Sequence, residues 1–220
     1  MTGLKHSFFI LVNKKKLQNH VNLSISNHSL SRYFSGVQTF LYLPFMDITQ
    51  ELLKENSRSQ AEKIARYVGD DSTRLEELLT YFLKGDVRQT RRSAWAMTIC
   101  CDNHPKLIKP HLKKLINHLT RTNLHDGVIR NTLRILQFQE IPRTLQGKTI
   151  NLCFGYLLDK KQAVAIKVLA MSILGNLVKE HPELKNELKI AIEDQLPYES
   201  AAFVSRGKKV LSRLNHDSQD

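Results

Sequence analysis

The sequence predicts an all-α protein built from about four stacked helix pairs. Glycine (9) and proline (6) are scarce among the 220 residues, whereas a strand-and-turn protein needs turn residues about every ten positions. Apolar residues instead recur with the helical spacing i, i+3, i+4, i+7 in several segments. Two sequence markers also repeat with a period of about 38 residues, and periods near 40 with two helices per unit are typical of helical solenoids.

Several segments carry one apolar helical face. Leu75, Leu78, Leu79 and Phe82 follow this spacing, and the segments 108–119 and 184–196 repeat it. Segment 163–178 is apolar nearly all round. A helix of that kind must be covered on several sides, so we predict that it is the central element.

The predicted helix ends carry recognisable capping residues. The segments 57–60 and 73–76 read as capping boxes, because Ser or Thr is followed three positions later by Gln or Glu. Gly85-Asp86 reads as a helix end followed by the N-cap of the next helix. Asp126 and Ser200 stand where further N-caps are expected.

Two markers give the repeat. Pro105, Pro142 and Pro182 each fall between two predicted helices, at spacings of 37 and 40 residues, and proline is well tolerated in the first turn of a helix. A basic residue recurs early in the second helix of each pair, at spacings of 38, 37 and 39. These basic residues are Arg92, Arg130, Lys167 and Arg206.

Segment 86–94, with the sequence DVRQTRRSA, resembles the turn and second helix of a HEAT repeat. In that family an Asp and an Arg six residues later commonly form a ladder between units, and Asp86 and Arg92 have this spacing. The later units depart from it, so the repeats are degenerate. The resemblance covers about 57–215 and extends to small bacterial HEAT-repeat proteins. It implies a right-handed α–α superhelix of the armadillo-like class.

The first 45 residues differ in composition from the rest. They contain five basic residues, no Asp or Glu, and five of the nine phenylalanines. We expect residues 1–45 to be a non-globular or wrongly assigned extension, with Met46 as the true initiator, followed by a HEAT-repeat domain at 46–215 and a tail at 216–220. Without the extension, 28 basic and 21 acidic residues remain, a net charge of +7.

The whole chain has a formal charge of +12 and a pI near 9.7. Such a balance favours anionic partners, which are nucleic acid, acidic proteins or anionic lipid, although lysines and arginines that only solvate helix surfaces give the same total. The three cysteines follow no secretory signal, which indicates free thiols in a reducing cytoplasm. No stretch has the length and hydropathy of a membrane span.

No catalytic motif is present, and we expect neither enzyme activity nor a cofactor. Cys100, Cys101 and His104 are close in sequence, but they lack the spacing of a zinc site. Cys153 with a histidine would be a nucleophile candidate. A cysteine on an apolar helix face is usually a core residue, however, so we interpret all three thiols as structural.

The predicted function is a non-enzymatic interaction module that binds an acidic protein partner. The candidate binding face comprises Arg92, Arg130, Lys167, Arg206 and Trp95. The alternative is nucleic-acid binding related to DNA alkylation repair, since HEAT-like glycosylases of that class use a basic face with tryptophans. This sequence has one tryptophan. The basic residues could also serve only as a structural ladder between repeats, which leaves the role of the face open.

Overall fold

The computed structural model of the chain describes residues 46–216, and within this range it contains ten α-helices and no strand. The segments predicted as an extension (1–45) and as a tail (216–220) lie outside the described residues, apart from His216 at the helix end. The helices are α1 (Ile48–Lys54), α2 (Arg58–Val68), α3 (Ser72–Lys84), α4 (Val87–Asn103), α5 (Leu112–His118), α6 (Asp126–Leu136), α7 (Arg143–Leu158), α8 (Val164–Leu177), α9 (Leu184–Glu193) and α10 (Ala201–His216).

The helices form two layers. Helices α2, α4, α6, α8 and α10 pack side by side in that order, and we call them the second-helix layer. Helices α3, α5, α7 and α9 each pack against the helix that follows them, and α5 also packs against α7. Short α1 packs on α2 and α4 at the start of the stack. Four helix pairs therefore follow α1 and α2, which confirms the predicted all-α solenoid.

Helix α8 lies at the centre of the C-terminal half, as predicted from its composition. It packs against α6, α7, α9 and α10. Its four consecutive residues 171–174 are all buried, and consecutive residues of a helix point about 100° apart. A helix that is covered all round needs no polar face, and the apolar sequence of α8 follows from this position.

Helix α2 begins at the predicted cap. The Oγ of Ser57 accepts a hydrogen bond from the backbone N–H of Gln60, at 3.1 Å. The other half of the predicted box is absent, because the Gln60 side chain donates to the backbone carbonyl and the carboxylate of Glu51 in α1 instead. The contact with α1 thus engages the Gln60 side chain, which a capping box would have bonded to the backbone of Ser57.

The capping box predicted at 73–76 is wrong. Helix α3 begins earlier, and the carboxylate of Asp71 caps it by accepting from the backbone N–H groups of Thr73 and Arg74 at 2.8 and 3.1 Å. The N-cap predicted at Asp126 is also displaced, since the ring Nδ1 of His125 accepts from Gly127 N–H at 2.9 Å.

The junction between α3 and α4 agrees with the prediction. Gly85 ends α3, and Asp86 caps α4 in a reciprocal capping box with Gln89. Pro142 precedes the first residue of α7, as expected. After Pro105, by contrast, the chain makes a turn and a 3₁₀ segment, Lys109–His111, so α5 begins only at Leu112.

Candidate binding groove

Arg92 is half-buried and links α4 to α1. Its Nη1 donates a hydrogen bond of 2.7 Å to the backbone carbonyl of Leu52, in the last turn of α1. The ladder expected between Asp86 and Arg92 does not form, because the Asp86 carboxylate caps its own helix by accepting from Gln89 N–H at 2.7 Å. The Arg92 guanidinium instead satisfies a helix-end carbonyl, which has no partner within its helix.

Lys167 lies below the surface. The residue is 2% exposed, and its Nζ contacts Glu199 Oε1 at 2.7 Å and Gln195 Oε1 at 3.1 Å. Both partners lie between α9 and α10, so the ammonium links α8 to that connection. A cation with these contacts is not part of an open binding face.

The other two basic positions are more accessible. Arg130 is exposed on α6 and Arg206 is half-buried on α10. Neither makes a hydrogen bond or an ion pair with any residue of the part of the chain that the structure describes. The four residues of the predicted row therefore do not share one environment, although their sequence spacing is regular.

A groove of about 520 Å³ crosses the N-terminal part of the second-helix layer. Three neighbouring helices supply its walls, and we call it the Trp95 groove. Its lining residues are Arg58, Glu62 and Arg66 of α2, Trp95, Ile99, Asp102 and Asn103 of α4, and Arg134 of α6.

Trp95 is held by the helices and remains open to solvent. It is 39% exposed, and it also borders a narrow cleft together with Leu52, Ala61 and Ile64. One part of the indole thus lies against the core of α1 and α2, while another part faces the groove. An indole with one anchored and one exposed part is a common contact residue in protein interfaces.

Two arginines of the groove are paired with carboxylates. Arg58 Nε lies 2.8 Å from Glu62 Oε1 one turn later on α2. Arg134 Nη2 lies 3.2 Å from Asp102 Oδ2, and this pair joins α6 to α4. All four side chains are at least 38% exposed, so each pair contributes only about 0–1 kcal/mol to stability and can exchange partners.

Arg66 differs from the other two arginines. It is exposed in the last turn of α2, and it has no hydrogen-bond or ion-pair partner within residues 46–216. Its guanidinium is therefore the cation of the groove that is open to an external anion.

Two further arginines extend the positive surface. Arg91 lies one turn before Trp95 on α4, and Arg130 lies one turn before Arg134 on α6. Residues four apart share a helix face, and both arginines are exposed without a partner among the described residues. Of the predicted face, Trp95 and Arg130 thus belong to one surface, together with cations that the repeat pattern did not single out.

The groove arginines were missed because the sequence argument followed the period between repeats. Arg58 and Arg66 lie in α2, ahead of the first basic marker, and Arg134 lies outside the marker column. A local signal was present: Arg58, Glu62 and Arg66 are four residues apart, as are Arg130 and Arg134, so each set lies on one helix face.

The three cysteines are core residues. Cys100, Cys101 and Cys153 are buried, and burial raises the pKa of the Cys100 and Cys153 thiols to about 12. Thiols with such pKa values stay protonated at neutral pH, and the nucleophile is the thiolate. Across residues 46–216, no three His, Cys, Asp or Glu side chains are arranged to hold a metal ion.

A comparison with protein families identifies the class of this molecule. The family model of the HEAT repeat domain matches residues 48–214, and the chain belongs to the HEAT repeat family. Proteins of this family are in general protein-interaction scaffolds, typically without catalysis. No curated protein and no solved structure matches the chain. None of the described helices is long and apolar enough to cross a membrane.

Proposed function

We propose that this protein is a non-enzymatic scaffold that binds an acidic segment of a protein partner in the Trp95 groove. The proposal rests on the partly exposed indole of Trp95 and on the Arg66 guanidinium in the same groove, which has no hydrogen-bond or ion-pair partner among residues 46–216. An indole contributes apolar contact area and an arginine binds carboxylates with well-defined geometry. The two together fit a peptide that offers both an apolar side chain and a carboxylate.

Nucleic-acid binding has less support from the same surface. A protein that follows phosphates needs a row of free cations, but two of the four residues of the predicted row, Arg92 and Lys167, are engaged by other groups of the protein. The groove also carries the carboxylates of Glu62 and Asp102, which oppose a densely charged phosphate backbone more strongly than a peptide with few charges. Tryptophan and arginine side chains are enriched in protein–protein interfaces relative to the rest of the surface.

The test is a titration of the full chain with a fluorescein-labelled acidic peptide that contains one phenylalanine. Binding is measured by fluorescence anisotropy at two salt concentrations. Emission of Trp95 provides a second signal from the groove itself, because the sequence contains one tryptophan. We expect binding that changes the Trp95 emission and weakens moderately with salt.

Arg66→Glu should weaken the peptide affinity about ten-fold, because an attractive charge becomes repulsive. Arg143→Glu is the matched control: it makes the same charge change at an exposed position on α7, outside the groove, and should leave the affinity unchanged. Tight, steeply salt-dependent binding of duplex DNA without peptide binding would replace this proposal with the nucleic-acid alternative.

A further inference from the structure

Two walls of the Trp95 groove pair a cation with an acid. Glu62 holds Arg58, and Asp102 holds Arg134. The side chains of the two acids are 38% and 44% exposed, so any ligand in the groove meets them. A surface that only attracted anions would gain nothing from either carboxylate, since each one lowers the local positive potential.

The two ion pairs determine which interactions a ligand needs in order to bind tightly. At Arg58 and at Arg134 an incoming anion competes with a carboxylate that is already in place and is repelled by it. Among the described residues that line the groove, Arg66 is the arginine that accepts an anion without displacing a partner. Charge by itself therefore gives weak attraction, and tight binding requires apolar contact with Trp95 and Ile99, the apolar part of the lining.

We infer that Glu62 and Asp102 set the selectivity of the groove: by holding Arg58 and Arg134, they admit a short peptide with an aromatic side chain flanked by carboxylates and reject simple polyanions. This inference rests on the proposed function, because it concerns the same groove. It assigns to the two acids the role of internal competitors that any anionic ligand must displace.

Helix geometry sets the spacing in such a peptide. Arg58 and Arg66 are eight residues apart on α2, which corresponds to about 12 Å along the helix axis at about 1.5 Å per residue. An extended peptide covers that distance in about four residues, at about 3.3 Å each. The carboxylates should therefore stand about four positions apart, with the aromatic residue between them facing Trp95.

The experiment uses three fluorescein-labelled probes: a peptide with phenylalanine between two such carboxylates, the same peptide with alanine in place of phenylalanine, and a single-stranded thymidine oligonucleotide. Each probe is titrated into the full chain and into Glu62→Gln, Asp102→Asn and the double variant. The unaltered protein should prefer the phenylalanine peptide. Each substitution should tighten binding of the oligonucleotide about two- to five-fold more than that of either peptide, because the oligonucleotide carries more negative charges, so that the preference for the phenylalanine peptide over the oligonucleotide falls.

Glu76→Gln is the matched control. Its carboxylate pairs with Lys114 at 2.7 Å and both side chains are more than half exposed, but the pair joins α3 to α5 outside the groove. The charge change is the same, and all three affinities should stay constant. Equal tightening by Glu76→Gln would reduce the effect to net charge and overturn the inference.

The outcomes separate the two proposals. A phenylalanine peptide that binds the unaltered protein, with a preference that Glu62→Gln and Asp102→Asn leave unchanged, overturns the selectivity role and keeps the proposed function. Failure of every variant to bind that peptide overturns both. Binding of the phenylalanine peptide that appears only after the acids are removed also overturns both, because the unaltered groove then does not admit the peptide.

Discussion

At the scale of single residues, Glu51 shows how a charge is held below the surface. The residue is 8% exposed where α1 meets α2, and its carboxylate accepts hydrogen bonds from Lys54 at 2.6 Å, Gln60 at 2.7 Å and Lys63 at 3.0 Å. The bond from Lys54, then that from Gln60, lowers the pKa of Glu51 to about 2, against an opposing effect of burial. A carboxylate with a lowered pKa in the folded state stabilises the fold above its unfolded pKa.

Glu51→Gln should lower the free energy of unfolding at pH 7 by about 1–3 kcal/mol, because charge-assisted hydrogen bonds are lost. The difference from the unaltered protein should shrink as the pH falls from about 4.5 towards 2, since the wild-type carboxylate then becomes protonated. Urea denaturation at several pH values measures both effects. Glu187→Gln, an exposed position on α9, is the control, and a difference that stays constant with pH would contradict the assignment.

At the scale of elements, glycines show which helix positions are crowded. A Cβ added at Gly155, inside α7, meets no atom within 4 Å. A Cβ added at Gly85, between α3 and α4, would lie 2.4 Å from the backbone carbonyl oxygen of Tyr81 and 2.8 Å from the Cβ of Gln89. Of these two positions, Gly85 is the one where the close approach of the backbone requires a glycine.

Gly155→Ala should therefore raise the free energy of unfolding by about 0.5–1 kcal/mol, because alanine loses less backbone entropy in a helix. Gly85→Ala should lower it by about 1–3 kcal/mol, because the junction must shift to relieve the overlap. Thermal unfolding, monitored by circular dichroism, compares the stabilities of the two variants. If Gly85→Ala raised the free energy of unfolding as Gly155→Ala does, the α3–α4 junction would be less tightly packed than described.

At the scale of the whole stack, stability comes from contacts between neighbouring units. The pair α9–α10 contacts only one preceding unit, mainly through α8. The Lys167–Glu199 ion pair, at 2.7 Å, crosses this junction with Lys167 fully enclosed. Removing one member of a buried pair costs more than replacing the cation with an apolar group, because an uncompensated charge remains.

Glu199→Ala should therefore lower the free energy of unfolding by about 3 kcal/mol, since it leaves the Lys167 ammonium buried opposite Gln195 alone. Lys167→Met should cost less, because a thioether of similar length fills the same space without a charge. Urea denaturation of both variants measures the two losses in the free energy of unfolding. A larger loss for Lys167→Met would show that the ion pair stabilises the junction more than its replacement by apolar packing.

Local patterns in the sequence were sufficient for the fold class and the repeat, because hydrophobic periodicity reports which helix faces are buried. The apolar composition of α8 predicted its central place, and Gly85-Asp86 marked a helix junction correctly. The cap predicted at Thr73 failed, since the helix already begins at Ser72 and the carboxylate of Asp71 caps it by accepting from the N–H groups of Thr73 and Arg74. A sequence motif does not indicate which of two nearby side chains, Asp71 or Thr73, caps the helix.

Only the tertiary structure decided which cations are accessible. Arg92, Arg130 and Lys167 occupy equivalent places in the sequence period, yet one caps α1, one is exposed and one is enclosed. Their partners lie 28–40 residues away where they have any, and sequence spacing within one helix carries no information about such contacts. The sequence by itself determined the helix pairs and their repeat, and long-range packing placed Trp95 and Arg66 in the groove that we propose as the binding site.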